Sequence, residues 1–157
     1  MCEHCGCRGV EPIAELMDEH FALLDLGGDL RRALAAEDRP TVVATLAELT
    51  DRLGRHVGRE ERGIFTALTQ QGDFADAVRG LEAEHAAFDT SLARLDPERA
   101  GFAEDLLALL EDLVEHIDKE NLGLFPAAVV TLGARGWETI GDVHEREPSF
   151  LVDPVIA

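Results

Sequence analysis

The sequence predicts an all-α fold, an up-down-up-down four-helix bundle with a short C-terminal fifth helix. Three observations carry this expectation. Apolar residues recur in a 3-4 alternation in four separate stretches, short turns join those stretches, and the second half of the chain repeats the first. The turns fall at Asp38-Arg39-Pro40, Gln71-Gly72-Asp73 and Asp96-Pro97, and connections this short favour antiparallel neighbours.

The first helix is expected over 11–36, with Ile13, Leu16, His20, Leu23, Leu24, Gly27 and Leu30 on one face. The second, over 40–70, opens on Pro40, which suits a first helical turn, and aligns Val42, Leu46, Leu49, Leu53, His56, Glu60, Ile64 and Leu68. A third over 74–95 aligns Phe74, Val78, Leu81, His85, Phe88, Leu92 and Leu95. The fourth, over 101–131, aligns Leu106, Leu109, Leu110, Leu113, His116, Glu120 and Leu124. Gly54, Gly58, Gly63 and Gly123 weaken helix propensity near the polar turns, and Pro126 removes a backbone donor just beyond Glu120. A kink or close backbone approach is expected there. Gly133 and Gly136 flank a break, after which Trp137 to Glu147 form the fifth helix, whose indole covers one end of the bundle. The expected organisation is a cysteine-rich segment at 1–10, the bundle at 11–131, and a short helix with a non-periodic tail at 132–157.

The chemistry lies in the polar members of the stripes. His56/Glu60 and His116/Glu120 are H-x-x-x-E steps, and positions four apart on a helix point the same way. A lone histidine on an apolar face is usually a neutral core residue, but a buried carboxylate is costly unless a cation or hydrogen bonds compensate it. No Lys or Arg falls on these stripes. Four histidines and two glutamates, His20, His56, Glu60, His85, His116 and Glu120, therefore point to a metal site. The repeat supports this. H-V-G-R-E-E-R-G-I-F-T-A aligns with H-I-D-K-E-N-L-G-L-F-P-A, and L-M-D-E-H-F-A with L-E-A-E-H-A-A. Two helix pairs related by approximate two-fold symmetry suit two metals bridged by two carboxylates.

With these residues in order, H…H-x-x-x-E…H…H-x-x-x-E over roughly 11–130, the chain resembles the hemerythrin-like (HHE cation-binding) family of non-haem di-iron four-helix bundles, in its bacterial form with four His and two Glu. The resemblance implies a cofactor of two Fe ions in an oxo- or hydroxo-bridged centre, with the four histidines as terminal ligands and Glu60 and Glu120 as bridges. It departs from the oxygen carriers of the family, which have H-x-x-x-H in the third helix where this chain has Leu81 four before His85. Their last helix carries H-x-x-x-x-D, here H-x-x-x-E. Five ligands per iron leave a sixth position open on both, which suits peroxide, nitric oxide or redox sensing better than reversible oxygen carriage. Asp89, four after His85, is a candidate extra ligand or partner of a bound water, set against a solvated edge carboxylate. Glu19 and Glu84, about 100° round the helix from the adjacent histidines, are expected to be surface charges.

Composition narrows the function classes. At 157 residues, with 46% hydrophobic and 29% charged content, the chain is an ordinary single globular domain. A formal charge of −18 disfavours nucleic acid and anionic membrane surfaces as partners. No apolar run approaches a membrane span and no secretory leader is evident, so a cytoplasmic protein, monomeric or weakly oligomeric, is expected. Tyr is absent, which removes the usual phenolic relay near such a centre. At the amino terminus Cys2, His4, Cys5 and Cys7 have three readings: a reduced capping segment, thiol redox chemistry, or a second metal site, with His144 available if the tail folds back. The expected function is binding of or reaction with a small ligand, oxygen, nitric oxide or peroxide, for redox sensing or binding, with a redox partner. The alternatives are an oxidoreductase consuming peroxide or nitric oxide, or an iron-handling protein.

Overall fold

Four helical rods with two apolar layers separated by one polar layer make up the bundle. The structure, a computed structural model, describes Gly6 and residues 9–153. Cys2, His4, Cys5 and Cys7 lie outside the described residues. The first rod is α1 (Glu11–Ala35), with a proline in its first turn; the second is α2 (Arg39–Glu60), a π-helical turn (Glu61–Phe65) and α3 (Thr66–Gln71). The third rod is α4 (Ala75–Arg94). The fourth runs through α5 (Phe102–Lys119), a second π turn (Glu120–Leu124) and α6 (Phe125–Thr131), before α7 (Ala134–Arg146) and a 3-10 turn (Phe150–Val152). Contacts run α1 to α2, α2 to α4, α4 to α5 and α5 back to α1, so the rods form a closed ring. No described helix is long and apolar enough to cross a membrane.

Local chemistry sets the ends of these elements. Asp38 caps α2 by accepting from the Thr41 backbone N–H at 3.2 Å and its hydroxyl at 2.7 Å. Gly72, at φ +87, and Gly101, at φ +88, take the left-handed conformations that end the second rod and open the fourth. Phe74 departs from expectation: at φ 61 it is the residue before α4, not part of it, and it is 41% exposed instead of joining the apolar stripe. A cap residue is out of phase with the helix that follows.

The expected disturbance beside the ligand turns takes the form of two π turns at equivalent places in the repeat. A π turn inserts one extra residue without breaking the rod. Thr66 donates its hydroxyl to the Glu61 carbonyl at 2.7 Å across the first widened turn, and its counterpart at the second is Pro126, which has no N–H to place. Widening brings positions four and five after each glutamate inward together. Ile64 and Phe65 are both buried, as are Leu124 and Phe125.

One apolar layer gathers Ile13, Leu16, Phe65, Leu81, Phe125 and Ile140; the other gathers Leu23, Leu49, Phe88, Leu106, Leu113 and Phe150. Along every rod the histidine falls where one layer gives way to the other. The fifth helix packs on the first π turn and α3, and Trp137 lies against the first layer. Phe150 docks the tail on the second layer, with the Arg52 guanidinium 5.3 Å from its ring centre. Replacing fully buried Leu23 by Ala should cost about 2–5 kcal/mol, and removing the cap with Asp38→Ala should lower stability by less, both read from urea unfolding at matched metal loading.

Candidate metal centre

Four imidazoles and two carboxylates meet in the polar layer. His20 comes from α1, His56 and Glu60 from the last turn of α2, His85 from α4, His116 from α5 and Glu120 from the start of the second π turn, and all six are buried. They fall into two groups, His20, His56, Glu60 and Glu120, and Glu60, His85, His116 and Glu120. Within each group one donor atom per residue lies within 4.8 Å of the rest.

The two groups share both carboxylates, and each carboxylate divides its oxygens between them. Glu60 Oε1 lies 3.1 Å from His56 Nε2 and 3.4 Å from His20 Nε2, while its Oε2 lies 3.5 Å from His85 Nε2. Glu120 Oε2 lies 3.0 Å from His20 Nε2, while its Oε1 lies 3.1 Å from His116 Nε2 and 3.9 Å from His85 Nε2. The sequence repeat is thus a spatial two-fold relation.

Outer partners orient every ring. His56 Nδ1 is 2.6 Å from Glu19 Oε2, His116 Nδ1 2.7 Å from Glu84 Oε2, His85 Nδ1 3.0 Å from Glu61 Oε1, and His20 Nδ1 2.8 Å from Asn121 Oδ1. Carboxylate and amide oxygens accept, so each Nδ1 is the donor and each Nε2 turns a lone pair inward. Behind this ring of partners, Arg59 donates to Glu19 and Glu15, and Lys119 donates to Glu84. Phe125 stacks on His20 with centroids 5.5 Å apart, Phe65 stacks on His85 at 5.3 Å, and Phe88 meets His116 edge-on at 5.2 Å.

The interior so formed consists of acceptors facing acceptors. All four carboxylate oxygens of Glu60 and Glu120, and Nε2 of His20, are buried without a hydrogen bond. His85 Nε2 and His116 Nε2 stand 3.0 Å apart. Leaving such groups unpaired costs several kcal/mol each, and cations satisfy all of them at once. Imidazole nitrogen with carboxylate oxygen is a donor set for first-row transition ions.

Without a metal, protons on the imidazoles take the place of the cations. Burial alone would push the imidazoles of His20, His56 and His85 down and the Glu60 carboxyl up. The opposite charges outweigh it: the three histidines are held above their ordinary range and Glu60 well below. These groups stabilise one another as ions.

The sequence pattern of the hemerythrin HHE cation-binding domain matches residues 11–128, a span containing all six of these residues. This chain belongs to that family. No curated protein and no solved structure matches it. Within this hemerythrin domain the buried His/Glu groups fit a metal ion cluster.

Several expectations need correction. Glu19 is fully buried and Glu84 half-buried, and neither is a plain surface charge. Rotation off its own helix's stripe carries each to a seam, where it meets a histidine of the neighbouring helix. An arginine also enters the interior. Arg59 is buried because α7 covers it, although it reaches Glu19 and Glu15 instead of the inner carboxylates. Asp89 sits exposed on α4, outside both groups. His144 sits on α7, 3.8 Å from Glu15, and burial together with Arg59 pushes it down to about 4. The partners Glu61 and Asn121 and the stacking rings Phe65 and Phe125 were missed. The repeat did mark Phe65 and Phe125, which match in the two halves, whereas Glu61 and Asn121 align as different residues.

Stripped of metal, the protein should show a definite pH dependence. The raised imidazoles contribute stability that is full below 6.5 and lost as pH rises through their folded values, whereas lowered Glu60 contributes stability that is full above 4.5 and lost as pH falls. The stability advantage of the stripped protein over its His85→Gln variant should therefore shrink as pH rises past neutrality. Urea unfolding across a pH series checks this, and a constant difference contradicts it.

Proposed function

We propose that the polar layer holds two iron ions, one on His20 and His56, the other on His85 and His116, bridged by Glu60 and Glu120, and that the protein binds or reacts with oxygen, nitric oxide or peroxide in redox sensing. The carrying observation is the division of both carboxylates between two histidine pairs. A single ion has no use for that arrangement, and a bridged pair requires it. When bound, the ions supply electron transfer and coordination positions for a small ligand.

The chain does the rest. Glu19, Glu61, Glu84 and Asn121 hold the Nδ1 protons, so the Nε2 lone pairs stay aimed inward. Phe65, Phe88 and Phe125 pack against the rings and exclude water. In this reading residues 11–131 are the metal-binding unit, with 1–10 and 132–157 appended to it. Burial of all six ligands argues against loading and releasing ions as the main task, since exchange would require the bundle to open. Consumption of peroxide or nitric oxide by an oxidoreductase uses the same residues and differs in stoichiometry.

The deciding experiment is metal analysis of anaerobically purified protein, then optical spectra on adding air and peroxide. Two irons per chain with near-ultraviolet oxo-bridged bands are expected, with both lost or halved in His56→Ala and Glu120→Ala. Zinc alone, or retention of two irons in either variant, sinks the assignment. One stoichiometric reaction with peroxide favours sensing, and many turnovers without bleaching favour the enzyme.

A further inference from the structure

The two halves of the centre have matching ligands and unequal cover. On the His20/His56 side, the pair behind Glu19 is deeply buried: Arg59 is 1% exposed and Glu19 0%, with α7 laid over them through His144 and Glu15. Their counterparts on the other side, Lys119 and Glu84, are 53% and 34% exposed. Two grooves flank that pair where α4 meets the fourth rod, the larger beside the second π turn and α6, the smaller beside α5. The larger, about 500 Å³, has low walls of Ala77, Gly80, Gly123 and Ala127 and a floor of Leu81 and Leu124; the smaller, about 170 Å³, runs past Phe88. Leu81 lies one turn before His85 and Leu124 one turn after Glu120, so the floor of the larger groove abuts the ligand layer.

We propose that small ligands, uncharged or singly anionic, reach the centre between α4 and the fourth rod, through the groove floored by Leu81 and Leu124, and engage the His85/His116 half. The His20/His56 half, sealed by α7, is the closed one. This rests on the two-metal reading above. The apolar lining suits dissolved diatomic gases. Lys119 at the groove's edge is paired with Glu84, so the mouth carries one charge of each sign in an otherwise acidic protein, where a neutral or singly charged ligand meets less repulsion than a more highly charged anion.

Azide and dioxygen serve as probes. A Cβ at Gly80 meets nothing within 4 Å, so Gly80→Leu starts from an open position in the groove lining, adds bulk there and favours the helix. Azide association with the iron-loaded protein should slow by about tenfold in Gly80→Leu and quicken in Leu81→Ala, with two irons per chain retained in both. Gly54→Leu on α2, where a Cβ also meets nothing, should leave the rate unchanged. Lys119→Met, which leaves Glu84 unpaired at the mouth, should slow azide more than dioxygen, and added salt should narrow the azide difference from wild type. In protein stripped of metal, dissolved dioxygen should broaden the methyl resonances of Leu81 and Leu124 more than those of Leu23 or Leu49, and the effect should vanish in Gly80→Leu. Azide rates unaltered by both Gly80→Leu and Leu81→Ala in protein holding two irons overturn the route and leave the two-metal reading intact. Wild-type protein holding fewer than two metals overturns that reading and the assignment of a half with it, and the dioxygen map then stands or falls alone as the test of the route.

Discussion

Everything in this bundle is arranged around one electrostatic problem: acceptor atoms on six side chains face one another in a space whose only donors would be protons on the imidazoles themselves. Glu60 and Glu120 keep four carboxylate oxygens there without hydrogen bonds, and two histidine nitrogens approach to 3.0 Å. Apolar packing alone would reject such a layer. It persists between two leucine- and phenylalanine-rich layers as a site built for cations, and the hemerythrin family match over 11–128 agrees with that reading.

Orientation is solved outside the cluster. Each imidazole has two nitrogens, and nothing in the ring decides which faces in. The outer acceptors decide it, because a carboxylate or amide oxygen can only take the Nδ1 proton. These acceptors sit next to members of the cluster in sequence but serve members on other helices: Glu19 adjoins His20 and binds His56, and Glu84 adjoins His85 and binds His116. Neighbouring rods are thereby locked in register by the atoms that tune the site. The π turns contribute at the same level. By adding one residue after each H-x-x-x-E step they bring Phe65 and Phe125 onto the rings of His85 and His20.

Symmetry stops at this outer ring of charges. Arg59 and Lys119 occupy equivalent positions, yet one is enclosed and the other open, because α7 folds over only one side. His85 leans on a carboxylate and His20 on the neutral amide of Asn121. The cluster side chains are matched between the halves, and the exposure and charge of their outer partners are not.

Periodicity in the sequence was enough to place the four rods within a residue or two and to pick out His20, His56, Glu60, His85, His116 and Glu120, because a polar group on an apolar stripe has only one direction to face. The residues around the cluster were not legible in this way. Glu19 and Glu84 read as surface charges on their own helices, and Arg59 lay off the stripe, since a stripe describes one helix against a generic interior and says nothing of what lies across a seam. Phe74 failed in the opposite sense, its left-handed backbone taking it off the stripe it continued in sequence. The sequence by itself determined which side chains turn inward, through a 3-4 spacing that any helix obeys. Only the tertiary structure decided which nitrogen each imidazole presents, how the carboxylate oxygens divide, and which half is covered, because those depend on contacts between helices far apart in the chain.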